Sequence, residues 1–526
     1  MVRIGILVVI LAQSLILLVG CGSQEALAPV AFDALARRLP ANATQIFFLD
    51  LKPEGETGRH WEHIRSQLEA NSDVRMALDG LYGDFLVEVY GLESYVEGPA
   101  ANSFRGDGTF VAIQVTDGDA AEETVLEHTA DVGWDRETYQ GLTLYSGAMP
   151  DEGYYGQNVA WTVKEGLWLL SYSYFGDARD PLQSLLDLPE EESLAALTTW
   201  QTLRDRLPEH PMGLVYINTA RQARLHSPVP GESSLNTIAS QQVDALAFAA
   251  VPEEAGIRIE IEGVFALKDD APPELLALFE LPAVDATSWN ALPADTALTL
   301  IGHDATLVWS WIQGLLGLNT EAWAPLEDAT GLHLETDLLS AAGPLTGGFA
   351  LGVTPPLPDQ PTGGGLIAIQ VLILAEDATE AQMRRVHSAM ESRGAIFGPA
   401  EVEGMPLQTQ LGTGLSGYAI SYGFDDRLLF FGSSPDVVGR GLAARRDRGG
   451  LVETGSFQYV LKTMPEEPVL IVYVDGGSLR QLAKANMTSE EYQNSEFQAL
   501  EALEAMGLGL RVDQDRIDGT IYLLMK

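Results

Sequence analysis

The sequence predicts an α+β fold: two tandem homologous domains, each a mainly antiparallel sheet flanked by helices. Three observations predict it. Apolar and polar residues alternate with a period of two in many short segments, as in "GIRIEIEGVF", where Ile257, Ile259 and Ile261 fall on one side and Arg258, Glu260 and Glu262 on the other. Short turns join several of these segments into hairpins. The chain also repeats itself. "WQTLRDRLPEHPMGLVYIN" from Trp200 aligns without a gap with "FQYVLKTMPEEPVLIVYVD" from Phe457, and Gln201, Pro208, Glu209, Pro211, Val215 and Tyr216 recur as Gln458, Pro465, Glu466, Pro468, Val472 and Tyr473.

The elements follow in order within each repeat. "ATQIFFLDL" and "TALTLIG" read as strands that begin just after a Leu-Pro-Ala turn. Next comes a helix whose spacing places Trp61, Ile64, Leu68 and Leu78 on one face, with "ATLVWSWIQGLLGL" as its counterpart. "FVAIQV" and "LIAIQVLIL" are strands, each followed by a charged helix, "AAEETVLEHTADV" or "TEAQMRRVHSAMESRG". Hairpins follow in "GLTLYS" with "VAWTVKEGLWLLSYS", and in the pair turning on "GFDDR". Then come a small helix, the shared Trp200/Phe457 segment and a last hairpin turning on "VPEEAG" or "DQDRID". Four of these, the Leu-Pro-Ala strand, the hairpin from Asn158 or Gly417, the Trp200/Phe457 segment and the last hairpin, match in sequence and in the same order. They give repeats at 30–268 and 286–526, joined by a Pro-rich linker at 269–285 that carries a short helix.

Residues 1–20 are different in kind. "MVR" is followed by "IGILVVILAQSLILLVG", apolar apart from Gln13 and Ser14, and then by Cys21. A basic start, an apolar run and small residues at the cut describe a secretion signal. "LVGC" resembles the lipobox of bacterial lipoproteins. That resemblance implies a diacylglyceryl group on Cys21, cleavage before it, and a mature chain tethered by residues 21–29 to the outer face of a membrane. Two or three acyl chains anchor stably where one is marginal. Beyond residue 20, no segment is apolar and uncharged for long enough to span a bilayer as a helix.

The two Leu-Pro-Ala stretches, Leu39-Pro40-Ala41-Asn42-Ala43-Thr44 and Leu292-Pro293-Ala294-Asp295-Thr296, precede the first strand of each repeat. In this the chain resembles an exported, internally duplicated bacterial family of unknown function. The resemblance implies no activity and no catalytic residue. Pro40 and Pro293 are expected to bend the chain before an edge strand.

Composition narrows the functional classes. A hydrophobic content of 46% excludes a disordered chain. The 74 acidic and 31 basic residues give a net charge of −43. No basic stripe offsets phosphate repulsion, so no nucleic acid partner is expected. The expected partners are the membrane, through the lipid, and an envelope protein, glycan or lipid ligand; oligomeric state is open.

Motifs for chemistry are sparse. "GTGLSG" at 412–417 lies between two strands and has no helix N-terminus to hold a pyrophosphate. No Gly-Lys pair exists for a phosphate loop, and no H-E-x-x-H or G-x-S-x-G occurs. No cofactor is expected. His60 and His63 in "HWEH" share a helix face and could chelate a metal, but no third ligand is near in sequence. "DGDAAEE" and "DQDRIDG" lack calcium-loop spacing and read as a helix cap and a hairpin turn. Trp161, Trp168, Tyr172 and Tyr174 on one hairpin are either core or the lining of a ligand groove. The favoured reading is a non-enzymatic binding or scaffold protein. The alternatives are a carrier of an apolar ligand, which needs an apolar cavity, and a hydrolase, which needs a nucleophile, base and carboxylate in a cleft.

Charge generates a first prediction. At −43 most carboxylates lack a basic partner, so the folded chain is under self-repulsion. Screening shortens from about 10 Å at 0.1 M salt to about 3 Å at 1 M. The domains without residues 1–20 should melt at a higher temperature in molar sodium chloride than in dilute buffer. An unchanged melting temperature, in chloride and in sulfate of equal ionic strength, refutes this.

Overall fold

The structure, a computed structural model, describes residues 31–68, 90–92, 94–105, 108–148, 158–173, 176–225, 242–265, 271, 273–285, 289–309, 327, 330–356, 369–412, 418–447, 449–488, 492, 501–513 and 516–526. Cys21, the signal-like segment and the tether lie outside these residues. So do Leu78, Tyr174, most of "GTGLSG", and residues 69–89 and 310–326, on which parts of the two helices expected after the first strands fall. The described elements fall into two compact units, which divide at Leu267 and Lys268.

The first unit contains ten described strands: β1 (Gln45–Asp50), β2 (Val96–Arg105), β3 (Gly108–Val115), β4 (Asp135–Tyr139), β5 (Leu142–Ala148), β6 (Asn158–Lys164), β7 (Leu167–Ser173), β8 (Gly213–Ile217), β9 (Val243–Glu253) and β10 (Gly256–Phe265). They form an antiparallel run in the order β4-β5-β6-β7-β3-β2-β1-β8-β9-β10. The second unit contains β11 (Leu298–His303), β12 (Gly348–Thr354), β13 (Gln370–Glu376), β14 (Ile396–Val402), β15 (Met405–Leu411), β16 (Ser421–Asp425), β17 (Leu428–Gly432), β18 (Leu470–Asp475), β19 (Leu503–Asp513) and β20 (Arg516–Met525). Their order is β14-β15-β16-β17-β13-β12-β11-β18-β19-β20, again antiparallel throughout.

Local chemistry explains the hairpins. β4 and β5 turn on Gln140-Gly141, and β14 and β15 on Glu403-Gly404, with positive φ at both residues of each turn. Two-residue turns of this hand match the twist of the flanking strands, and glycine adopts the second position without strain. Some of the helices begin where a side chain accepts the first free N–H groups. Asp117 caps the helix Gly118–His128, and Thr379 with Gln382 forms a capping box on Glu380–Ser392. After β8, Asn218 Oδ1 accepts the Arg221 N–H at 2.9 Å; after β18, Asp475 Oδ1 accepts the Ser478 N–H at 2.7 Å.

Helices pack on the sheets through recurring contacts. In the first unit, Trp200 on the helix Thr198–Arg206 meets Tyr216 of β8 edge-on, ring centroids 5.6 Å apart. In the second, Phe457 on Gly455–Lys462 meets Tyr473 of β18 at 4.9 Å. Close approach requires small residues on the next strand. Ala245, Ala247 and Ala249 of β9 have no exposed surface. β19 has Gly507 and Gly509 there, and a methyl on Gly507 would overlap Val460 and lie 2.8 Å from Met464 Cε.

Two expectations need correction. Pro40 and Pro293 do not precede edge strands: β1 lies between β2 and β8, and β11 between β12 and β18. Each proline stands outside its strand, in an isolated bridge to Ser193 or Gly450, so its missing N–H costs the ladder nothing. Ile257, Ile259 and Ile261 are buried, but so is Glu262 on the opposite side, at 3% exposure. That side of β10 is not uniformly solvated: Arg258 there is half-buried and pairs with Glu253 at 2.6 Å.

The packing of β19 is testable. Gly507→Ala should destabilise the protein by about 1–3 kcal/mol through overpacking. Gly449→Ala, where an added methyl meets open space, should stay within about 0.5 kcal/mol of wild type. Equal denaturant midpoints for the two variants would contradict the packing described.

Candidate functional site

The aromatic hairpin was the main candidate for a ligand groove. β6 and β7 pair with Trp161 opposite Leu170 and Tyr172 opposite Val159. Alternation therefore sends Trp161, Trp168 and Tyr172 to one face of the sheet. There they are core, not groove. Trp161 and Trp168 have no exposed surface, and Tyr172 is 8% exposed. Tyr145 stacks on Trp161 at 4.3 Å, Trp134 meets it edge-on at 5.9 Å, and Tyr90 lies 4.9 Å from Trp168. Ala121 and Val125 of the helix Gly118–His128 belong to the same cluster. The Tyr145 hydroxyl donates to Glu122 Oε1 at 2.6 Å; burial, then that carboxylate, pushes its pKa up to about 12.

The histidine pair is placed as its spacing predicts. His60 and His63 lie on the helix Gly55–Leu68, which turns Trp61, Ile64 and Leu68 inward. His63 is exposed, and its Nε2 lies 3.4 Å from Gln67 Nε2. Among the described residues no three His, Cys, Asp or Glu side chains are grouped so that they could hold a metal ion.

The structure also assembles groups too far apart in sequence to have been paired by reading it. His387 Nδ1 lies 2.6 Å from the Tyr422 hydroxyl, and His387 Nε2 lies 3.3 Å from Glu391 Oε1. This is a hydroxyl–imidazole–carboxylate line, the arrangement a hydrolase would need. Its hydroxyl is poorly suited to attack. Burial first, and the Glu391 charge second, push the Tyr422 pKa up to about 12, so the proton is held. Phe397 of β14 packs on the imidazole at 4.2 Å. The line ties the helix Glu380–Ser392 to β14 and β16.

A concavity of about 620 Å³ is lined by Asp119, Glu122, Glu123, Leu126, Glu127 and Ala130. Four carboxylates line it, which does not match an apolar ligand. Asp50 and Glu54 form a further acidic pair, at the end of β1 and in the turn after it. Burial, opposed by the Lys52 N–H and reinforced by Glu54, raises the Asp50 pKa to about 6. No motif marks this pair in the sequence.

If Trp168 is core, Trp168→Ala should cost about 3–5 kcal/mol in denaturant unfolding. A loss within about 0.5 kcal/mol would instead put it on an exposed surface.

Comparison with known proteins gives three findings. A family model described as "Protein of unknown function (DUF3352)" matches residues 97–409. No curated protein matches the chain. Among solved structures, crystal form III of TP0453 matches at 11% identity over 47% of this chain and 87% of that one, with a TM-score of 0.25. Crystal form I of TP0453 matches at 9% identity with the same shares and a TM-score of 0.23.

Proposed function

We propose that this chain, which belongs to the DUF3352 family, is a lipid-anchored extracytoplasmic protein with a duplicated α+β fold that binds or scaffolds a partner outside the membrane and is not an enzyme. One observation carries the reading: the residues the two halves share serve the architecture. Tyr216 stands opposite Ile46 and Ala247, and Tyr473 stands opposite Thr299 and Gly507, in corresponding registers. Gln201 donates to the Ala195 carbonyl at 2.9 Å, and Gln458 to the Val452 carbonyl at 3.2 Å, each spanning six residues back. Leu39 and Leu292 are fully buried beside their bridges. A duplication in which shared residues build two similar platforms leaves recognition to the surfaces, where the halves differ.

The described sites favour this over the alternatives. The aromatic residues that could have lined an apolar groove are packed against one another. The concavity at Asp119–Ala130 is lined by carboxylates. The hydroxyl–imidazole–carboxylate line ends in a tyrosine that keeps its proton. The anchor rests on Cys21, the single cysteine, standing directly after the apolar run 4–20. The outer face of the cell membrane, or an outer membrane where one exists, is the proposed location.

Cys21→Ser tests the anchor. The variant should appear in the soluble fraction or retain its uncleaved signal. A processed variant that still needs detergent for release would refute lipid attachment at Cys21.

A further inference from the structure

Among the described residues, strand β4 pairs with β5 and with no other strand. The turn Gln140-Gly141 sets which of its backbone groups are used. In a two-residue hairpin of this hand the flanking pair, Tyr139 and Leu142, is hydrogen-bonded, and bonded pairs recur at every second residue. Glu137 therefore bonds to Leu144 and Asp135 to Ser146. The N–H and C=O groups of Arg136 and Thr138 point the other way, along the free edge. Asp135, Arg136, Glu137 and Thr138 are all exposed. Such an edge is a template for another strand.

The matching hairpin of the second unit is closed to this. Counting back from the turns Gln140-Gly141 and Glu403-Gly404, Arg136 corresponds to Pro399 of β14. Proline has no N–H to offer at that position, and it closes an outer strand to further pairing. β14 still pairs with β15 along its whole length, from Ile396 to Val402, so a proline there leaves the hairpin intact.

Charge decides what the β4 edge can take. On one face Arg179 lies 2.5 Å from Asp177 and 3.6 Å from Glu137, and the charges of Asp177, Glu137 and Asp135 all act on it. Three carboxylates thus share one guanidinium. On the other face Arg136 lies over the Tyr145 ring at 5.3 Å, and the Tyr145 hydroxyl donates to Glu122 of the acidic concavity. A second copy of β4 fits poorly: with Arg136 paired to Thr138 of the copy, Glu137 stands opposite Glu137, and like charges directly opposite are destabilising. A strand with basic side chains opposite Asp135 and Glu137 meets opposite charge at both. The geometry points to β4 as a strand-addition site: an extended segment of a partner protein, basic at alternate positions, pairs with the backbone of Arg136 and Thr138. This deepens the reading that the chain binds a partner, and rests on it.

Hydrogen exchange on the full chain tests the site, with the capped synthetic peptide Lys-Val-Lys-Val-Lys-Val as probe. At about a hundred times its Kd, the peptide should slow exchange of the Arg136 and Thr138 amides about a hundredfold. The Phe397 and Glu401 amides of β14 should not change. The peptide Glu-Val-Glu-Val-Glu-Val should protect neither strand. Arg136→Pro, which gives β4 what β14 already tolerates, should remove the protection of Thr138, whereas Arg136→Ala, which keeps the N–H, should retain it. If Arg136→Pro fails to fold, Asp135→Lys combined with Glu137→Lys decides, because it should switch the preference to the glutamate peptide. Arg136 and Thr138 amides that exchange equally fast with and without the lysine peptide, equal protection by both peptides, or protection that survives Arg136→Pro would overturn strand addition at β4. The same exchange map separates this from the broader reading: protection confined to other parts of the chain would sink the edge and leave a partner-binding protein.

Discussion

Each unit depends on where its first strand joins the sheet, and the Leu-Pro-Ala bend fixes that point. The Leu39 carbonyl accepts the Leu194 N–H at 2.8 Å, and the Leu292 carbonyl accepts the Leu451 N–H at 2.7 Å. Both leucines are fully buried. The next residue is proline, which stands in the bridge where its own N–H would point away from the partner, so lacking one costs the pairing nothing. The chain then turns, with Ala43 donating to the Pro40 carbonyl and Thr296 to the Pro293 carbonyl, both at 3.1 Å. β1 and β11 leave these turns into the middle of their sheets.

That position has energetic consequences. A central strand must find two partners, and one of them is far along the chain: Ile46 pairs with Tyr216, and Thr299 with Tyr473. Loop closure on this scale is slow and entropically costly before contacts reward it. The bridge shortens the search, because it holds the segment leading into the helix Thr198–Arg206 or Gly455–Lys462 beside the start of the first strand. That helix then brings its aromatic residue onto the tyrosine of β8 or β18, and the small residues of β9 or β19 let it lie close. The residues recurring between the halves thus belong to one connected set of contacts.

The sequence was legible where structure is local. Period-two runs became strands, Asp117 capped its helix, and the recurrence of Gln201 as Gln458 marked a contact six residues long. Pairing is not local, so a proline before a strand read as an edge signal although β1 and β11 are central. Alternating aromatics look the same on a strand whether the face they occupy is covered or open, which is why Trp161 and Trp168 stayed ambiguous. Tyr422 lies 35 residues from His387, and no motif announces their contact. Asp50 looks in sequence like any carboxylate before a turn, but burial raises its pKa, and burial cannot be read from a turn.

The central claim is that one strand order, in one register, is used twice. Paired cysteines test it, because Cys21 is the single native cysteine and Cys21→Ser leaves a clean background. Phe47 stands opposite Val215 in the first unit, and Leu300 stands opposite Val472 in the second. Directly opposed residues on antiparallel strands lie close enough for a disulfide. The account predicts that oxidation cross-links the Phe47→Cys/Val215→Cys pair and the Leu300→Cys/Val472→Cys pair, while pairs displaced by one residue stay open. Cross-linking of the displaced pair in either unit, with its in-register pair open, would contradict a shared register.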